Sequence, residues 1–280
     1  MADLLNLVGF ANRSLLWDRG TDVYNVKWEF LQRKKASDPD IGKSEFLGRF
    51  CSHFKEPPDF THFNQRRHQT LTGLGAICVA MPTSSRLVIG LGLPHPTQSG
   101  FLLDRLTGCP YLPGSSVKGI LRVAARLVAS GDLEGDQTFW SLHLIEIFGP
   151  DVTNAGAARG AAEFYDALPV KWPRLEVDVL TPHYQDYYQD GKVPGDWDDP
   201  VPVPFLTVEP GTYFRFYFRA GEDARSEAAR KLADLLNTAL KWLGIGGKRS
   251  AGYGVLEFEA SAMEVGKEGS DRRGKPLDGD

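Results

Sequence analysis

Hydrophobic and polar positions in this chain repeat with two clear periods. Over residues 212–219, Phe214, Phe216 and Phe218 share one side, and Tyr213, Arg215, Tyr217 and Arg219 share the other. That alternation predicts a strand with one face in a core. Over 225–243, Leu232, Leu235, Leu236, Ala239 and Leu243 fall on one helical stripe, and Gly244 supplies a stop. A second amphipathic helix is predicted from the Pro-Gly-Ser-Ser run at 113–116 to about residue 129. Its apolar face is Val117, Ile120, Leu121, Ala124 and Val128, and serine suits the exposed N–H groups of a first turn. Shorter apolar runs predict strands over 86–92, 161–170, 175–180, 203–208 and 255–258. Small and polar residues predict a loop over 150–160. A long loop is predicted over 183–200, where Tyr184, Tyr187, Tyr188 and Trp197 sit among Asp186, Asp190, Asp196, Asp198 and Asp199.

The order strand, helix, strands, helix, strand predicts an α+β domain of the ferredoxin-like, RRM-like split βαβ type, with insertions, over 85–262. Residues 1–84 are richer in aromatics and charge and poorer in strand patterning. They read as an N-terminal extension packed on that body. A helix over 24–35 carries the basic patch Lys27, Arg33, Lys34 and Lys35, which Asp38 and Pro39 close. Residues 263–280 lack aromatics and are loaded with glycine and charge, which predicts a disordered tail.

Composition narrows the partners. A chain of 280 residues that is 42% hydrophobic and 24% charged is expected to be soluble and globular. Its formal net charge of −4 excludes a generally cationic nucleic-acid binder, so any such contact must use local positive charge. Cys51, Cys78 and Cys109 are widely spaced and odd in number, which argues against a disulfide framework and fits a reducing cytoplasm. The N-terminus shows no basic region followed by an apolar signal core. No apolar run approaches membrane-spanning length, so no membrane partner is expected.

The run GGKRSAGYG over 246–254 concentrates the candidate chemistry. Gly246, Gly247, Gly252 and Gly254 permit unusual backbone geometry, Lys248 and Arg249 supply charge, and Tyr253 supplies a stacking face. RNA would suit all three; a tight helix-to-strand turn with solvated cations is the alternative. Arg249 follows Lys248 where a phosphate-binding P-loop has Ser or Thr, and the loop closes a helix where a dinucleotide fingerprint opens one. Lys118, Arg122 and Arg126 recur every four residues opposite the apolar stripe, behind Ser115 and Ser116 at a helix start that favours phosphate. They form either a basic row for RNA or a solvated face. The Tyr213/Arg215/Tyr217/Arg219 face resembles a nucleic-acid-binding sheet, but a half-exposed sheet face, with or without a neighbouring helix packed on it, is the favoured reading. Cys51, His53, His62 and His68 lack the compact spacing of a zinc site, and the aspartates of 183–200 lack an EF-hand pattern. No metal or cofactor is expected.

The segment CPYLPGSSVKGILR over 109–122 and the loop GIGGKRSAGYG over 244–254 resemble, in order, the two signature segments of the RAMP superfamily of CRISPR proteins. Three further stretches, GLGLPHP at 90–96, TPHYQDYY at 181–188 and VPFLTV at 203–208, are similar to the sixth-subunit family of the type III-B Cmr complex. The resemblance covers about residues 85–258. It implies a ferredoxin-like fold, assembly with other RAMP subunits (backbone and capping subunits), and binding of CRISPR RNA and target RNA near the guide's 3′ end. By motif it carries over Ser115, Ser116, Lys118 and Arg122, together with Gly246, Gly247, Lys248, Arg249, Gly252 and Gly254. It implies no catalysis in this subunit, because target cleavage belongs to a backbone subunit with a loop aspartate; Asp104 lies in a broadly corresponding loop here. The rival readings are a metal-independent nuclease using His95 or His183, and a scaffold that touches protein alone.

Overall fold

The structure, a computed structural model, describes residues 39–93, 99–150, 158–181, 202–220 and 226–257. The predicted helix over 24–35, the aspartate-rich loop, His95, His183 and the tail over 263–280 lie outside the described residues.

Two helices open the described chain, α1 (Pro39–His53) and α2 (Phe60–Gly73). They precede β1 (Ile77–Pro82), α3 (Gly114–Ser130), α4 (Gln137–Phe148), β2 (Ala162–Pro169), β3 (Leu175–Leu180), β4 (Val203–Val208), β5 (Tyr213–Ala220) and α5 (Glu227–Trp242). A short 3₁₀ turn, Arg249–Ala251, follows. The main sheet has the order β1-β5-β2, with both pairings antiparallel. Thr83, just past β1, bridges Leu256 antiparallel. The last segment therefore lies beside the first strand, and the order last-first-third-second is that of a split βαβ domain. The α+β expectation is borne out.

The first strand is β1, upstream of residue 85, where the sequence reading begins the main domain. The run expected as a strand over 86–92 makes one isolated bridge, Leu87 to Val208, although Leu87, Val88 and Ile89 are all buried. β3 and β4 form a separate antiparallel ribbon. α1 packs over it through a face that includes Phe46, Leu47 and Phe50.

The core is the one the periodicities predict. Phe214, Phe216 and Phe218 of β5 are fully buried beneath Val117, Leu121, Ala124 and Val128 of α3 and Leu232, Leu236 and Leu240 of α5. Ser226 caps α5, accepting the Ala229 N–H, as expected of serine at that position. At α3 the cap differs: Pro113 occupies it, and the serines lie inside the first turn.

On the opposite face of β5, α2 packs on Tyr217, while Tyr213 is exposed and Arg215 and Arg219 are half-buried. Tyr217 is 1% exposed; its hydroxyl lies 3.1 Å from His68 Nδ1, and the Arg67 guanidinium stands over its ring. The face is therefore half-exposed, with Tyr217 alone fully packed on the neighbouring helix. Arg219 pairs with Glu163 at 3.1 Å, and burial pushes the Tyr217 phenol well up.

Candidate nucleic-acid interface

The two predicted patches occupy separate places. The first is at the start of α3. Ser115 and Ser116 are exposed there, and Lys118 is half-buried. Gly114, Ser115 and Lys118 line an open cleft of about 470 Å³ whose other wall is Arg159 with Ala162, Glu163, Phe164 and Tyr165 of β2. The first-turn N–H groups are partly committed. Gly114 donates to the Asp166 carboxylate at 2.7 Å, and Ser116 and Val117 donate to the Pro113 carbonyl. Lys118 makes no hydrogen bond or ion pair among the described residues.

Arg159 is a cation the sequence reading missed, because it stands alone in a small, polar stretch. It reaches the Glu163 carboxylate at 2.7 Å. Glu163 also accepts from Tyr165 Oη at 2.9 Å and pairs with Arg219. The Tyr165 hydroxyl and the two arginines outweigh desolvation and hold Glu163 below the usual carboxylate range.

Arg122 and Arg126 follow on α3. Arg126 is exposed, while Arg122 is half-buried and donates from Nη2 to the Gly149 carbonyl at 2.9 Å. That bond ties α3 to the end of α4, so the expected basic row is partly a structural tie.

The second patch is the Gly-rich loop, which folds back on residues 86–88. The Gly247 N–H donates to the Val88 carbonyl at 2.7 Å, and the Gly254 N–H to the Arg86 carbonyl at 2.9 Å. A Cβ on Gly246 would stand 2.4 Å from the Val88 oxygen, and one on Gly254 would stand 1.9 Å from the Ile245 oxygen. These glycines permit a backbone-to-backbone approach that no side chain would fit. Ala251 and Tyr253 donate to the Lys248 carbonyl, and Gly252 donates to that of Arg249. Much of the loop's backbone is therefore satisfied inside the protein, where the sequence reading had it offered to phosphates.

Tyr253 donates from its hydroxyl to Asp178 at 2.7 Å, with its ring edge-on to Phe205. The residue is half-buried, and its hydroxyl is tied to β3. Burial, followed by the Asp178 bond, raises its phenol. Arg249 donates to the Leu243 carbonyl at 3.4 Å and remains exposed. Lys248 is the sole non-glycine residue with positive φ, 55°, among the described residues.

The remaining candidates have ordinary roles. Asp104 Oδ1 accepts from the Leu106 N–H, the Thr107 N–H and the Thr107 hydroxyl at 2.8–3.1 Å, which closes a turn. His53 Nδ1 lies 2.8 Å from the Arg49 carbonyl. Burial pushes the Cys51 thiol up to about 11. Among the described residues no group of three or more His, Cys, Asp or Glu is arranged to hold a metal ion, and no helix is long and apolar enough to cross a membrane.

The sequence profile of the RAMP superfamily matches residues 81–257. This chain belongs to the RAMP superfamily. The CRISPR system Cmr subunit Cmr6 of Pyrococcus furiosus is 32% identical to it over 237 residues, 66% of this chain and 69% of that protein. The Cmr6 subunit of Saccharolobus solfataricus is 30% identical over 171 residues, 60% of this chain and half of that protein. Among solved structures, a chain of the type III-B Cmr-beta assembly bound to cognate target RNA superimposes with a TM-score of 0.54. It is 27% identical, and the match covers 72% of this chain and 66% of that one. The RAMP match begins at the end of β1 and ends at the described edge of the last segment, so it takes in every later element of the split βαβ unit.

Proposed function

We propose that this protein is a non-catalytic RNA-binding subunit of a type III-B CRISPR effector, holding CRISPR RNA near its 3′ end together with the target duplex. The observation that carries this reading is the cleft at the start of α3. There Ser115, Lys118 and Arg159 bring hydroxyl and cationic donors to one open hollow. Its similarity to Cmr6 subunits, and to a chain of an RNA-bound Cmr assembly, supports the same conclusion. Exposed Arg249 and the half-buried Lys248 add a second cationic point on the Gly-rich loop. Contacts of this kind read phosphates without reading sequence, as a guide-holding subunit requires.

The test is fluorescence anisotropy with labelled guide RNA on the full chain and on the assembled complex. Lys118→Ala combined with Lys248→Ala is expected to weaken binding in both; unchanged affinity and assembly would refute the site. Incubation of labelled repeat RNA with the purified protein is expected to yield no specific product. Cleavage lost in His95→Ala or His183→Ala would replace this reading with a nuclease.

A further inference from the structure

A charged network joins the Gly-rich loop to the β3–β4 ribbon. Asp178 Oδ2 accepts from Tyr253 Oη at 2.7 Å and from Arg86 Nη1 at 3.1 Å. Arg86 Nε donates to Glu176 Oε2 at 2.8 Å. Asp178 Oδ1 accepts from the Val179 N–H at 2.8 Å. The Arg86 main chain belongs to the same clamp, because its carbonyl receives the Gly254 N–H. Glu176 and Asp178 stand two apart on β3, so both carboxylates project to one side of the ribbon. The loop is therefore fixed at Gly247, Tyr253 and Gly254, while residues 248–252 form the part between those fixings. Lys248 is held there in a left-handed conformation that L-residues disfavour. Strain of that kind persists where surrounding contacts over-determine it.

We propose that Asp178 is a positioning residue for RNA binding: it locks Tyr253 and Arg86 together so that the Gly-rich loop presents Lys248 and Arg249 in one orientation. This rests on the RNA-binding reading above. Asp178 is an anion beside a cationic loop, so removing it should strengthen binding to a polyanion if charge alone mattered. Positioning predicts the opposite sign.

The experiment compares Asp178→Ala, Asp178→Asn and Tyr253→Phe with the wild-type full chain. It reads RNA affinity over a salt series and amide hydrogen exchange at Gly247 and Gly254. Asp178→Ala and Tyr253→Phe are expected to speed exchange at both glycines and weaken RNA binding about threefold to tenfold. The salt slope should stay unchanged, since no phosphate contact is lost. Asp178→Asn keeps an acceptor for Tyr253 and should recover most of the affinity. Tyr253→Phe leaves the ribbon intact, which guards against a folding artefact. If Lys248→Ala weakens binding but Asp178→Ala leaves it equal or stronger, the positioning role is overturned. If Lys248→Ala itself has no effect, the fault lies in the RNA-binding reading of the loop.

Discussion

Lys248 and its neighbours carry opposed demands that single substitutions can separate. Replacing Lys248 with glycine removes the left-handed strain but adds unfolded-state entropy. The net should be a gain of at most about 1 kcal/mol in urea unfolding, accompanied by weaker RNA binding. Simultaneous loss of stability and affinity would argue that Lys248 holds the loop together. Gly252 and Gly254 give a second contrast. Both have positive φ, yet a Cβ at Gly252 meets open space, whereas one at Gly254 meets the Ile245 oxygen at 1.9 Å. Gly252→Ala should cost roughly 1 kcal/mol from backbone strain alone, and Gly254→Ala clearly more, because main chain must move. Asp178 adds a pH dependence. Its burial raises the carboxyl, but the Tyr253 hydroxyl, the Val179 N–H and Arg86 outweigh this and leave it below the usual value. A depressed carboxylate contributes stability above its unfolded pKa of about 3.9 that is lost as pH falls through the folded value. The stability difference between wild type and Asp178→Ala, read from urea unfolding, should therefore shrink between pH 7 and pH 3.

At the scale of elements, Arg122 decides whether α3 is a binding row or a strut. Its bond to the Gly149 carbonyl secures the end of α4, and a half-buried bond from a charged donor contributes roughly 1.5–3 kcal/mol. Arg122→Ala should lower the urea midpoint accordingly while leaving the salt slope of RNA binding unchanged; a reduced slope would return Arg122 to the interface. The same scale shows what was legible beforehand. α3, β5 and α5 were readable because each has one buried apolar stripe and one face richer in polar residues. α4 was missed because its apolar residues do not segregate: Leu142 and Ile145 are 72% and 65% exposed while Trp140 and Phe148 are buried. α2 was missed for the reverse reason. It is polar nearly all round and holds the sheet through Asn64, Arg67 and His68. β1 escaped notice because its residues are half-buried along most of their length, with no alternation to detect. Pro39 was read as a stop, yet it begins α1, where its missing N–H costs nothing. In the site, Ser115, Lys118 and the loop glycines were legible as motif. The partners that consume Arg122 and Tyr253 lie 27 and 75 residues away in the chain, beyond the reach of any local pattern. Glu176 and Asp178 left a trace in the alternation of β3, but only the fold brings Arg86 to them.

For the whole molecule, the formal charge of −4 sets how strongly it can hold a polyanion. Besides Arg122 and Arg126 on α3, the candidate cations stand in two groups, Lys118 with Arg159 and Lys248 with Arg249. Among the described residues no hydrogen bond or ion pair joins these groups, and the cleft at the start of α3 is lined by the first alone. Each lysine should neutralise about one phosphate. Its loss should then reduce the slope of log affinity against log salt by about 0.7 on single-stranded RNA. Because the groups have no shared partner, Lys118→Ala and Lys248→Ala should combine additively to within about 0.5 kcal/mol, and the double variant should lose about 1.4 from the slope. Anisotropy titrations of the four proteins over a salt series measure both quantities. Strong non-additivity would mean that one strand segment bridges the cleft and the loop as a single site. Additivity with the stated slope would mean two independent phosphate anchors. In that case the isolated chain should bind only weakly, and tight binding should appear when neighbouring subunits supply further anchors along the same RNA at high effective concentration.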